Sequence, residues 1–124
     1  MKTKKKILYI QTSGVNTPER LYTPLILAQT ALAMDIEPTV YFLGLGLTAL
    51  QKKEAEKVKI GAFPKLSDVI QESVNQGVKI IACQQSMQLF EGKLNENDFF
   101  PEVIIAGAAT LNDLALEADA ILTF

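Results

Sequence analysis

The sequence has no histidine, no tryptophan and a single cysteine in 124 residues. Without histidine the usual zinc and copper ligand sets are missing, and the carboxylates are scattered instead of gathered at metal-binding spacing. Ser13 has no histidine to activate it, which removes the standard hydrolase triad. One cysteine closes no internal disulfide and forms no dithiol pair within the chain. A free thiol suits a reducing compartment, so the cytoplasm is the expected location. No apolar run approaches the ~20 uninterrupted residues that cross a bilayer, and Met1 to Lys6 leads directly into a strand pattern, so neither a membrane span nor a signal peptide is expected. A net charge of -2 gives no general attraction to nucleic acid or acidic lipid. The one basic run, Lys2 with Lys4-Lys5-Lys6, reads as a solvated lead-in to the first strand. No cofactor is expected.

What is present is a core. At 48% hydrophobic the chain buries enough for one domain, residues 1–124. Ile7-Leu8-Tyr9-Ile10 reads as a buried strand ending at the turn set Thr12-Ser13-Gly14. Thr17-Pro18 and Thr23-Pro24 each have the form of an N-cap followed by proline, and proline inside one continuous helix costs about 3 kcal/mol, so the helical body is expected from Pro24. Thr39 to Leu43 is a second strand, closed by Gly44 and Gly46, and Lys52 to Lys57 a short solvated helix. Leu66, Val69, Ile70, Ser73 and Val74 share one helix face, with Gly77 at the stop. Val78 to Cys83 is a third strand whose apolar run suits burial on both faces. A short helix over Gln84 to Phe90, a polar excursion to Pro101, a strand Val103-Ile104-Ile105, a capping box Thr110-Leu111-Asn112-Asp113 and a last strand Ala120 to Phe124 complete the pattern. This alternation predicts a three-layer α/β/α fold with a five-stranded parallel sheet, in the flavodoxin-like order 2-1-3-4-5. Ligands then bind beyond the carboxyl ends of strands one and three, where Thr12-Ser13-Gly14 and Cys83 would meet.

Cys83 falls where a central strand runs into a helix. Unpaired backbone N–H groups there favour the thiolate, the reactive form; Ser86 adds a hydroxyl donor, and the Thr12-Ser13-Gly14 loop adds further N–H groups. Against this stands simple packing, since free cysteine is among the most buried residue types. Glu54 with Glu56, and Glu117 with Asp119, are spaced i, i+2 and point apart on a helix, which does not suit acid/base work. Met34 and Met87 need no role beyond packing, and Phe90, Phe99 and Phe100 read as core cover or an interface patch.

The segment Ala82-Cys83-Gln84-Gln85-Ser86-Met87, entered through Gly77-Val78-Lys79-Ile80 and followed by Ala106-Gly107-Ala108-Ala109, resembles the DsrE/DsrF-like family of sulfur-relay proteins. Thr23-Pro24 with Ala28-Gln29, Leu66-Ser67-Asp68 and Ala118-Asp119 extend the likeness along nearly the whole chain, closest to single-domain, single-cysteine members sometimes labelled peroxiredoxin-like. Glu91-Gly92-Lys93 departs from the smoother apolar stretch expected there. The resemblance implies a sulfurtransferase-like carrier holding sulfane sulfur as a persulfide on Cys83, with Ser86 at the small hydroxyl position. It further implies sulfur-donor and sulfur-acceptor proteins or small thiols as partners, and assembly into homotrimers or homohexamers. Three alternatives stand beside it: a non-enzymatic binding module for a small anion or nucleotide, an assembly subunit with Cys83 structural, and a single-cysteine peroxidase using an outside reductant.

Overall fold

The computed structural model describes residues 4–124; Lys2 of the basic run lies outside them. Five parallel strands, β1 Lys6–Gln11, β2 Glu37–Phe42, β3 Lys79–Cys83, β4 Ile104–Ala106 and β5 Ala120–Thr123, form one sheet. Four α-helices connect them: α1 Thr23–Ala33, α2 Lys52–Lys57, α3 Leu66–Gln76 and α4 Ala108–Glu117. Alternation along each strand divides the side chains between two faces. One face, with Tyr9, Val40, Phe42, Ile80 and Ala82, packs against α1 and α3 through Leu25, Ala28, Val69 and Ile70. The other, with Leu8, Tyr41, Ile81 and Cys83, packs against Leu111, Leu114, Ala115 and Ala118 around α4.

The three-layer parallel architecture is as expected; the strand order is not. The strands run β4-β3-β2-β1-β5, so β2 separates β1 from β3. The cause lies in which helices share a face. A crossover of fixed hand places its helix on one face when the chain steps one way along the sheet and on the opposite face when it steps back. The expected order sets α1 and α3 on opposite sides. Here they touch, the Gln29 side-chain amide donating to the Ser73 hydroxyl at 2.8 Å, so the chain steps in one direction from β1 through β3. Only α4 lies on the other face, and it returns the chain to the far edge, where β5 pairs with β1. The winding therefore reverses between β1 and β5, where Glu19, Arg20, Thr23, Thr123 and Phe124 line a cavity of about 330 Å³.

Helix α3 ends as its sequence indicates, with Gly77 in the left-handed region at φ 107°. Helix starts differ. Thr23 is the first residue of α1 and makes no side-chain cap, while Thr17 precedes a 3₁₀ turn, Pro18–Arg20, with its hydroxyl donating to the Gly14 carbonyl. Thr110 is the third residue of α4, which begins directly after Gly107, so the expected capping box lies inside the helix. Between β2 and α2 the chain forms a 3₁₀ segment, Gly44–Leu50, that buries Leu47 and Leu50. The basic lead-in is a surface feature: Lys4 pairs with Asp35 at 3.1 Å and Lys6 with Glu117 at 3.6 Å.

Candidate functional site

Cys83 closes β3, its Cα in register with Ala106 of β4, and the Gln84 N–H continues the ladder to the Ala106 carbonyl at 2.8 Å. The chain then turns into a six-residue 3₁₀ helix, Gln85–Phe90, where a short helix was expected. With only 7% of its surface exposed, Cys83 packs with Leu8, Tyr41 and Ile81.

Burial alone pushes a thiol up, because it penalises the charged form. At Cys83 that effect is the largest single one, and the hydrogen bonds together outweigh it: the Ser86 hydroxyl, the backbone N–H groups of Ser86 and Gln85, and the Tyr41 phenol all favour the anion. The net result is a thiol held below its ordinary range. No cation is among these causes; dipoles hold the charge. In the protonated state the thiol points at the Gln85 amide oxygen, 3.8 Å away.

Ser86 is itself fixed. Its oxygen accepts the Gly44 N–H at 2.8 Å, which leaves its O–H to donate toward sulfur. Gly44 opens the 3₁₀ segment after β2 at φ 59°, a conformation glycine adopts without steric cost. Tyr41, unremarked in the sequence, is the partner that reading missed. The phenol lies under the same face and donates to the carbonyls of Gly107, at 2.8 Å, and Ala106, at 3.2 Å. Burial, followed by the proximity of Cys83, pushes it up to about 12, so it remains a donor through the physiological range. A tyrosine inside a strand ordinarily reads as core, and only the sheet register brings it to the cysteine.

The structure does not bring Thr12-Ser13-Gly14 to the sulfur. The Thr12 N–H and hydroxyl both bond the Phe124 carbonyl, at 2.7 and 2.8 Å, on the β5 side of β1. The Ser13 carbonyl accepts the Gln11 side-chain amide at 3.0 Å. Gly14 backs the segment that orients Ser86: a Cβ built there would lie 2.3 Å from the Leu45 carbonyl oxygen and 2.5 Å from the Thr48 hydroxyl. Gly14→Ala is therefore expected to destabilise the protein by roughly 1–3 kcal/mol, the usual cost of overpacking, read as a lower midpoint in urea unfolding with unchanged slope.

Neither the cavity of about 440 Å³ among Lys52, Glu96, Asn97, Phe99, Phe100, Pro101, Val103 and Ile105 nor the one of about 490 Å³ beside Lys4, Lys5, Lys6, Glu117 and Asp119 includes Cys83. Among the described residues no helix is long and apolar enough to cross a membrane.

A parallel α/β sheet with one buried thiol at the carboxyl end of an inner strand, polarised by neutral donors, defines a class of thiol-centred α/β proteins. Within that class the family is specific: the DsrE/DsrF-like pattern matches residues 5–124, and the chain belongs to the DsrE/DsrF-like family. An uncharacterised protein of Methanocaldococcus jannaschii, MJ0760, is 35% identical over 105 residues, which are 85% of this chain but only 38% of that protein's length. The sulfur carrier protein DsrE2 of Allochromatium vinosum is 27% identical over an alignment of 158 residues, with 93% of this chain and 95% of that one covered. The crystal structure of the ychN protein from E. coli shares the fold, with a TM-score of 0.74 at 18% identity over 98% of this chain and 100% of that one.

Proposed function

We propose that this protein is a sulfur carrier that holds sulfane sulfur as a persulfide on Cys83 within a relay of donor and acceptor proteins or small thiols in a reducing cytoplasm. The observation that carries the reading is the thiol held below its ordinary range by neutral donors, in a chain of this family. The Cys83 thiolate attacks the outer sulfur of a donor persulfide, R–S–SH; the donor S–S bond breaks, R–S⁻ departs and takes up a proton, and Cys83–S–SH loses one to become Cys83–S–S⁻. In the second half an acceptor thiolate attacks the outer sulfur and Cys83–S⁻ leaves. No net oxidant is consumed. The donors from Ser86, Gln85 and Tyr41 serve twice, since the anion they stabilise is the nucleophile of the first step and the leaving group of the second. One cysteine is sufficient, because the other thiol belongs to the partner. Cyanolysis tests this: cyanide takes the outer sulfur as thiocyanate, and the protein treated with a persulfide donor and desalted should release about one thiocyanate per chain. Release no greater than from untreated protein would remove the carrier role.

The same reading includes a homo-oligomer, a trimer or hexamer. What supports it is the apolar surface left around α4 and the sheet edges: α4 and β5 contain no fully buried residue, Leu116 is 86% exposed, and Ile104 and Ile121 each 46%. Multi-angle light scattering is expected to return a multiple of the chain mass, and Ile104→Asp with Ile121→Asp to lower it; a strictly monomeric wild type contradicts this part of the reading.

A further inference from the structure

The Tyr41 hydroxyl has one proton and three acceptors within its reach. Register explains how. Tyr41 on β2 and Ile104 on β4 both pair with Ile81 of β3, and Cys83 stands two residues further along β3, on the same face, paired with Ala106. A phenol extending from β2 across β3 toward the end of β4 must pass the sulfur. Its oxygen lies 2.8 Å from the Gly107 carbonyl and 3.2 Å from that of Ala106, and the tyrosine packs in one cluster with Cys83, whose anion it favours.

We infer that Tyr41 is a positioning residue whose O–H swings between the Gly107 carbonyl and the Cys83 sulfur according to the charge on that sulfur. With a protonated thiol, or with the inner sulfur of a persulfide, sulfur is a weak acceptor and the carbonyl holds the proton. When Cys83 is a thiolate, the charge-assisted bond to sulfur is the stronger and the O–H turns to it. No covalent bond changes and no proton leaves the phenol. Gly107 is the residue from which α4 starts, and its carbonyl accepts the Leu111 N–H of the first turn at 3.4 Å, so the N-terminus of that helix registers whether the sulfur is anionic. The face of the sheet that α4 covers is thereby coupled to the state of the thiol.

This arrangement lacks competing charge. Of the elements packed around Cys83, the 3₁₀ segments Gly44–Leu50 and Gln85–Phe90 and strand β4 contain no ionisable side chain, and the charged residues of β1, β2 and β3, namely Lys6, Glu37 and Lys79, stand at the amino ends of their strands, opposite the end that carries Cys83. On α4, Asp113 and Glu117 are exposed. The inference rests on the carrier reading for its use, though not for its test. Thiolate absorbance near 240 nm follows Cys83 alone among the thiols, since it is the one cysteine. In folded Tyr41→Phe the thiol is expected to titrate about one pH unit higher than in wild type, the size of one hydrogen bond to a charged group. In the wild type the Ala108 amide resonance, which senses the Gly107 carbonyl, should move with the same midpoint, and in Tyr41→Phe that movement should vanish. A thiol midpoint unchanged in folded Tyr41→Phe overturns the inference. Should that variant not fold, 3-fluorotyrosine at position 41, a stronger donor, is expected to lower the thiol midpoint, and an unchanged or raised midpoint overturns it equally. Failure of sulfur loading with these shifts intact removes the carrier role and leaves the Tyr41 device standing.

Discussion

Cys83→Ser is expected to retain the fold and to hold no sulfane sulfur under any donor. The loss is complete because the carried atom is bound through an S–S bond, which a hydroxyl does not form, and the sequence contains no second cysteine to substitute. Stability should change little. Serine is slightly smaller than cysteine, and its hydroxyl meets the donors that now face sulfur, namely the Ser86 and Gln85 N–H groups and the Tyr41 phenol. The residual cost is that of placing a hydroxyl beside Leu8 and Ile81, about 1 kcal/mol on the scale of hydrogen-bonded polar burial. Urea unfolding and thiocyanate release, measured on the same preparation, separate the two outcomes. A variant that unfolds at nearly wild-type denaturant and releases no thiocyanate fits the account; one that still releases about one equivalent places the carrier elsewhere.

Ser86→Ala should have the next largest effect. The serine passes a backbone dipole to sulfur: the Gly44 N–H donates to its oxygen at 2.8 Å, and its own O–H donates to Cys83. Alanine removes that donor and leaves the Gly44 N–H without its acceptor. A hydrogen bond to a charged group contributes roughly 1.5–3 kcal/mol, so the thiol should rise by about 1–2 pH units. Reactivity falls by less than the thiolate population. A rise of ~1.5 units cuts the thiolate fraction ~30-fold at a pH below both values, while the more basic thiolate is ~5-fold more nucleophilic, which leaves about a 6-fold slower alkylation by iodoacetamide. Ser86→Thr, which keeps the hydroxyl, should recover most of the loss. Alkylation rates in Ser86→Ala equal to wild type across the pH profile would mean that the hydroxyl does not act on the sulfur.

The layers of the fold were legible because each rests on local pattern. The apolar run from Val78 to Cys83, the i, i+3, i+4 spacing from Leu66 and the glycine at 77 each specify one element without reference to the others. Strand order does not rest on local pattern. It follows from which face α1 and α3 occupy, and that is decided by tertiary contacts such as Gln29 to Ser73, between residues far apart in sequence. With β2 between β1 and β3, the loop does not reach the cysteine: Thr12 is tied to Phe124 on the β5 side, and Gly14 packs against Leu45 and Thr48 of the segment after β2. Cys83 and Ser86 are readable as neighbours because only Gln84 and Gln85, in one tight turn, separate them. Tyr41 was not: a strand tyrosine has the same sequence signature whether its hydroxyl meets solvent or a thiol, and only the β2–β3–β4 register discloses which. Helix starts were misread for a related reason. Thr23 and Thr110 have the residue type of a cap, but the chain enters α1 from a 3₁₀ turn and α4 directly from β4, so both helices begin before the hydroxyl is in position.

The most direct test of the account is the intact mass of the wild-type protein after incubation with a persulfide donor, followed by peptide mapping. The account predicts a gain of one sulfur atom, located on the peptide that contains Cys83 and removed by a reducing thiol. No gain under any donor, with Cys83 still open to alkylation, would contradict it.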